Sequence, residues 1–137
     1  MAAPRLTLRI ELGPGRQIGP GKIRLLEAIR DSGSISRGGQ ALGMSYRRAW
    51  LLVDDINRCF REPAVLAQAG GARGGGAAVT PFGLELIRHY RDIEAEAHAA
   101  TLSRLEHLQA ALRTLRAAPS RTTQPKRPAR RVQAKAQ

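Results

Sequence analysis

The chain has 137 residues, 42% of them hydrophobic, and a formal charge of +12 with a pI near 11.5. The length suits one domain with a tail, and the apolar fraction is enough for a packed core, which excludes a wholly disordered chain. The excess of cations asks for a polyanionic partner, while no run of about 18 apolar residues could cross a membrane.

The N-terminal MAAPRLTLRIELGPG has no unbroken apolar block of the secretory kind. One cysteine, Cys59, makes neither an internal disulfide nor a cysteine-rich zinc site, and reads as a small buried hydrophobe. The expectation is a cytoplasmic, nucleoid-associated protein with no membrane partner. Six of the positive charges, and no acid, fall in residues 119–137, so +6 remains on the rest and the body is basic in its own right.

In chain order, residues 5–11 alternate, with Leu6, Leu8, Ile10 and Leu12 on one side and Arg5, Thr7, Arg9 and Glu11 on the other. That period of two predicts a half-buried strand. The linker GPGRQIGPGK follows. Its Gly-Lys end does not make a phosphate-binding loop, because Ile23 stands where a Ser or Thr must hold the metal. Lys22 to Asp31 is predicted as a helix with Ile23, Leu26 and Ile29 on its apolar face, stopped by Gly33. Ser34 and Ser36 are both able to cap a second helix running to about Leu42. Gly38 and Gly39 weaken that helix, which calls for close approach of another helix.

Gly43 is read as a turn and Ser45 as the cap of a third helix, about residues 45–60. At 100° per residue, Ala49, Leu52, Val53, Ile56, Cys59 and Phe60 share one side, while Arg47, Arg48, Trp50, Leu51, Asp54 and Arg58 share the other. Trp50 stands near the boundary and is taken as a packing residue at the helix flank. Asp54 and Asp55 would repel phosphate, so nucleic-acid contact is expected only in the first two turns.

Residues 64–80 read as a hairpin, with strands near Ala64–Gln68 and Ala77–Thr80 and Arg73 at a tip that is glycine at five of the seven positions 70–76. Thr80-Pro81 then begins a helix expected to reach about Ala118. Leu86, Tyr90 and Ile93, and after one phase slip Leu105, Leu108, Leu112 and Leu115, keep coiled-coil spacing, which predicts a dimerisation helix over about 81–118. Residues 119–137 are expected to be a basic disordered tail.

The fold class expected is mainly α with a small β-hairpin wing: a winged helix-turn-helix over 1–118 with a long C-terminal dimerisation helix. In such a fold the second helix of the motif enters the major groove and the first crosses the backbone. Candidate DNA-binding residues are Ser36, Arg37, Ser45, Tyr46, Arg47, Arg48 and the wing's Arg73. His89, His98 and His107 are nine residues apart, half a revolution per step, so they do not converge on a metal. No nucleophile–base pairing is visible. Neither a catalytic site nor a metal or other cofactor is expected, and the chain is not read as an enzyme.

The string GPGKIRLLEAIRDSGSISRGGQALGMSYRRAWLLVDDIN, with Gly43-Met44-Ser45-Tyr46, Ala49-Trp50 and Asn57, followed by Thr80-Pro81-Phe82-Gly83, resembles the N-terminal DNA-binding domain of ModE-type molybdate-responsive regulators over about residues 5–115. A weaker likeness to LysR-type winged helices lies in the GSIS segment and turn. The resemblance implies a bacterial-type regulator of transcription: a homodimer on double-stranded DNA, reading a palindromic operator through Ser45–Arg48 and a wing at 64–80. Members of this family continue into β-barrel domains that bind molybdate, and this chain ends instead in its basic tail. Molybdate binding by this chain is therefore not expected. The rival expectation is a protein-interaction or nucleoid-associated module that binds nucleic acid without sequence preference through the tail.

Overall fold

The computed structural model describes residues 3–68 and 76–114. The chain begins with a short antiparallel hairpin, β1 (Ile10–Gly13) and β2 (Arg16–Ile18), in which Ile10 faces Ile18 and Glu11 faces Gln17. This corrects the expected strand at 5–11. The alternation is real, since Leu6, Leu8 and Ile10 are half-buried and Arg5, Thr7 and Arg9 exposed. Residues 5–9 nevertheless lie outside the ladder. The partner strand comes from the supposed linker, because Pro14 and a left-handed Gly15 (φ +71°) make the turn and Ile18 is buried in the core.

Helix α1 (Pro20–Ser32) starts on a proline and ends at left-handed Gly33, whose N–H donates to the Ile29 carbonyl at 2.7 Å. Lys22 donates from Nζ to the Gln17 carbonyl at 2.9 Å, fastening the hairpin to the helix. Helix α2 (Ile35–Ala41) is capped by Ser34, which accepts from the Arg37 N–H at 3.0 Å. Of the two candidate caps, the structure uses Ser34. Helix α3 (Tyr46–Cys59) is capped by Ser45, as expected. Strands β3 (Val65–Gln68) and β4 (Gly76–Val79) then pair antiparallel, Val65 with Val79 and Gln68 with Gly76. Helix α4 (Pro81–Ala110) is capped by Thr80, which accepts from the Gly83 N–H at 3.0 Å.

One core joins these parts: Ile23, Leu25, Leu26 and Ile29 of α1, Ala49, Val53 and Ile56 of α3, and Ile87 and Tyr90 of α4 are all buried. The arrangement is a winged helix-turn-helix with a long C-terminal helix. On the sequence reading, Leu86 and Tyr90 belong to a dimer seam. The structure instead spends both within the domain, Leu86 half-buried against the core and Tyr90 buried with its hydroxyl donating to the Leu8 carbonyl. The first three turns of α4 must cover α1 before any partner can be met. The helix also stops at Ala110 rather than near Ala118, so exposed Leu112 lies beyond its end, and Leu115 falls outside the described residues.

The entry into α4 leaves no room for a side chain at Gly83. A Cβ there would run into the Ala64 carbonyl oxygen and sit 2.6 Å from Val79 Cγ1. Backbone cannot step aside as a flexible side chain can, so Gly83→Ala should cost about 2 kcal/mol by overpacking. Thermal unfolding followed by circular dichroism should show this as a fall of roughly 10 °C.

Farther along, Arg91 makes two bonds to Glu27 of α1 (2.9 and 2.8 Å) and one to Glu94 (2.7 Å). The Arg91 guanidinium holds the Glu27 carboxyl below the usual carboxylate range, against an opposing push from partial burial. A lowered folded pKa gives stability that is complete above the ordinary carboxylate pKa and lost as pH falls through the lowered value. Both side chains keep solvent contact, so Glu27→Gln should cost only about 1 kcal/mol at neutral pH. The gap between wild type and variant should close as the urea midpoints of both are followed from about pH 5 to pH 3.

Candidate nucleic-acid interface

Two glycines let α2 close on its neighbours, Gly39 on α3 and Gly38 on α1, the close helix approach that their sequence placement required. A Cβ on Gly39 would stand 2.7 Å from the Ala49 Cβ of α3, and one on Gly38 would stand 3.0 Å from Ile29 Cγ1 of α1. The turn between the helices uses left-handed Gly43 (φ +76°), and the Met44 N–H returns to the Gly39 carbonyl at 2.9 Å. With Ala49, Val53 and Ile56 committed to the core, the start of α3 is forced outward.

There the Ser45 hydroxyl accepts from the Arg48 N–H at 3.1 Å, and Ser45, Tyr46, Arg47 and Arg48 are all exposed. Among the described residues, the side chains of Arg47 and Arg48 make no ion pair. Arg58, near the end of the helix, is instead paired with Asp54 at 2.7 Å. Asp55 meets Lys22 at 3.9 Å. The free cations therefore sit in the first turn of α3 and the acids lie farther along, each beside a cation. Arg37 is exposed and Ser36 half-buried near the start of α2.

Trp50, read as a flanking packing residue, is 40% exposed. Its ring meets Tyr46 edge-on with centroids 6.1 Å apart. The four-residue spacing places both rings on one face of α3, outside the ring of core contacts. Sequence position alone cannot say which side of the face boundary a tryptophan takes, because the core it flanks is built from other elements.

The hairpin of β3 and β4 is held beside this helix by a residue to which the sequence reading gave no structural role. Asn57 accepts at Oδ1 from the N–H groups of Ala64 (2.8 Å) and Val65 (3.2 Å), and donates through Nδ2 to the Val65 carbonyl (3.0 Å). Its signal in the sequence was a polar residue in the last turn of an amphipathic helix, close before a proline. The return strand is fixed as well, since the Ala77 N–H donates to the Gly33 carbonyl at 2.9 Å. A groove of about 230 Å³ separates wing from helices, with Ser34, Ser36, Tyr46 and Trp50 on one wall and Ala67 and Ala77 on the other. The wing tip with Arg73 lies outside the described residues. Among the described residues, no three His, Cys, Asp or Glu side chains gather as a metal site would require.

The fold and this surface define the class: a winged helix-turn-helix with free arginines at the exposed start of its second motif helix. No protein-family model matches the chain. It is similar to the molybdenum transport protein ModE of Azotobacter vinelandii, 39% identical over 102 residues, which are 73% of this chain and 38% of that protein. The molybdenum-pterin-binding protein MopB of Rhodobacter capsulatus is 43% identical over 81 residues, 59% of this chain and 30% of its own. The DNA-binding transcriptional dual regulator ModE of Escherichia coli K12 is 41% identical over 71 residues, 52% of this chain and 27% of its own. This similarity is consistent with an N-terminal ModE-type region, and the chain spans well under half the length of each of these relatives.

Proposed function

We propose that the chain is a sequence-specific, DNA-binding regulator of transcription acting in the cytoplasm. It reads a palindromic operator as a homodimer through α3 and the hairpin at 64–80. The observation that carries this reading is the first turn of α3. Tyr46, Arg47 and Arg48 are held clear of the core by the Ser45 cap and the Gly39–Ala49 contact, with a hairpin fastened alongside by Asn57. The guanidinium fork suits guanine O6 and N7 or a phosphate. Ser36 and Arg37 at the start of α2 suit the neighbouring phosphates, and Arg73 belongs in the minor groove beside the wing.

Relatives named as ModE transcriptional regulators support the regulatory role. The molybdenum in the names of the Azotobacter vinelandii and Rhodobacter capsulatus relatives supports a place in molybdenum-dependent gene control, with no molybdate-binding residue assigned in this chain. No helix among the described residues is long and apolar enough to cross a membrane.

Selection of bound sequences from a random DNA pool, using protein without residues 119–137, tests the proposal. Enrichment of a palindrome with half-sites about one helical turn apart is the expected result. Loss of all binding together with the tail, or binding without any enriched sequence, would establish the rival: an interaction module with sequence-blind association. With the tail present, log affinity should fall more steeply with log salt, by about 0.9 for each added phosphate contact.

A further inference from the structure

Along the outer face of α3, three large apolar side chains lie open together: Tyr46 at 62%, Trp50 at 40% and Leu51 at 51% exposure. They share an open groove with Arg47 and Asp54. Contiguous exposed apolar surface of this kind marks a site of contact. None of the three is needed by the core, which α3 serves through Ala49, Val53 and Ile56.

The charges around the patch select its occupant. Arg47 borders it on one side and Arg48 follows, while the Asp54 carboxylate borders the other. Asp54 is paired with Arg58 at 2.7 Å, so a phosphate drawn in by the arginines finds, among the described residues, no free cation farther along the groove, and it needs one. An uncharged base edge does not. In the major groove, the apolar group that a base edge offers is the 5-methyl of thymine.

Resting on the DNA-reading role proposed above, we infer that Tyr46, Trp50 and Leu51 are specificity-determining residues that receive thymine methyl groups. Arg47 anchors the neighbouring base or phosphate. Each half-site should then contain a thymine whose methyl group, rather than its hydrogen-bonding edge, is read.

The test uses the full chain and the duplex selected from a random pool, with each thymine in turn replaced by deoxyuridine. That change removes one methyl, leaves every hydrogen-bonding group in place and does not touch the protein. At one or two positions per half-site, affinity should fall about fourfold, the equivalent of exposing one buried apolar carbon. Trp50→Ala, checked for fold by circular dichroism, should bind thymine and deoxyuridine duplexes equally at one of those positions, as a double-mutant cycle requires. Fluorescence of Trp50, the one tryptophan in the chain, should change on binding the selected duplex. Equal affinity for every deoxyuridine duplex overturns the inference, as does a Trp50→Ala variant that remains as methyl-sensitive as wild type. A pool that yields no enriched sequence overturns the DNA-reading role itself, and this inference with it.

Discussion

Replacing Arg47 and Arg48 together with alanine should abolish preference for the selected operator while leaving the protein folded. Both side chains are exposed and, among the described residues, outside any ion pair, and the Ser45 cap binds the backbone N–H of position 48 rather than its side chain. Surface changes of this kind usually stay within about 0.5 kcal/mol of wild-type stability. A bidentate arginine–guanine pair discriminates by about 1–3 kcal/mol. A dimer would use the pair twice, so affinity for the operator should fall by about 100-fold or more. Affinity for unrelated DNA should fall far less. If one of the two arginines serves a phosphate, the slope of log affinity against log salt also drops by about one per half-site. Arg130→Ala with Arg131→Ala is the matched control, because it removes the same charge from the tail. It should flatten the salt slope and keep the preference. A double variant at 47 and 48 that still selects the palindrome would remove these arginines from the reading.

Much of the architecture was legible in the sequence where a local rule and the tertiary demand agree. Gly33 and Gly43 end helices in left-handed conformations that glycine adopts without strain, and Ser34, Ser45 and Thr80 accept from the N–H three residues on. The glycines at 38 and 39 weaken a helix, and their reason is visible at the neighbouring Ile29 and Ala49. Local rules failed where the partner was remote. The alternation shows which side faces the core as far as Ile10, while Leu12 is exposed, and it does not show which residues find a ladder, because a turn at Pro14-Gly15 took the pairing further along. Heptad spacing in α4 reports an apolar face without saying who covers it. Leu86 and Tyr90 meet the core of their own domain, and the packing of α1 decides that. Of the candidate site, Ser45–Arg48 stands exposed where the helical wheel put it. The wheel also puts Trp50 on the open side, but its edge-on partner Tyr46 and the role of Asn57 depend on the hairpin and on what the core left uncovered.

The same division of α4 yields the second large effect. A helix of 30 residues is about 45 Å long, whereas a domain of roughly 100 residues has a radius of gyration near 13 Å. Its far turns therefore project past the body that its near turns cover. On a wheel of 100° per residue, Leu105 and Leu108 fall in the same arc of about 60° as Ile87 and Tyr90, so the face that packs at home continues outward. Leu108 is 67% exposed there, and Ile93 lies toward the flank. Burying a leucine is worth about 1.5–3 kcal/mol. Four leucines from two copies thus contribute about 6–12 kcal/mol against an association cost of about 4–15 kcal/mol. The balance is narrow enough for two substitutions to reverse it. Leu105→Glu with Leu108→Glu keeps good helix formers at one half-buried and one exposed position and places like charges across the seam. Sedimentation at micromolar concentration should report a dimer for wild type and a monomer for the variant. Binding should follow, because a dimer gains from the second half-site and a monomer does not. Wild type should prefer the full palindrome to a single half-site by orders of magnitude, and the variant by no more than about the statistical factor of two. A variant that stays dimeric would place the contact between copies elsewhere than on the far turns of α4.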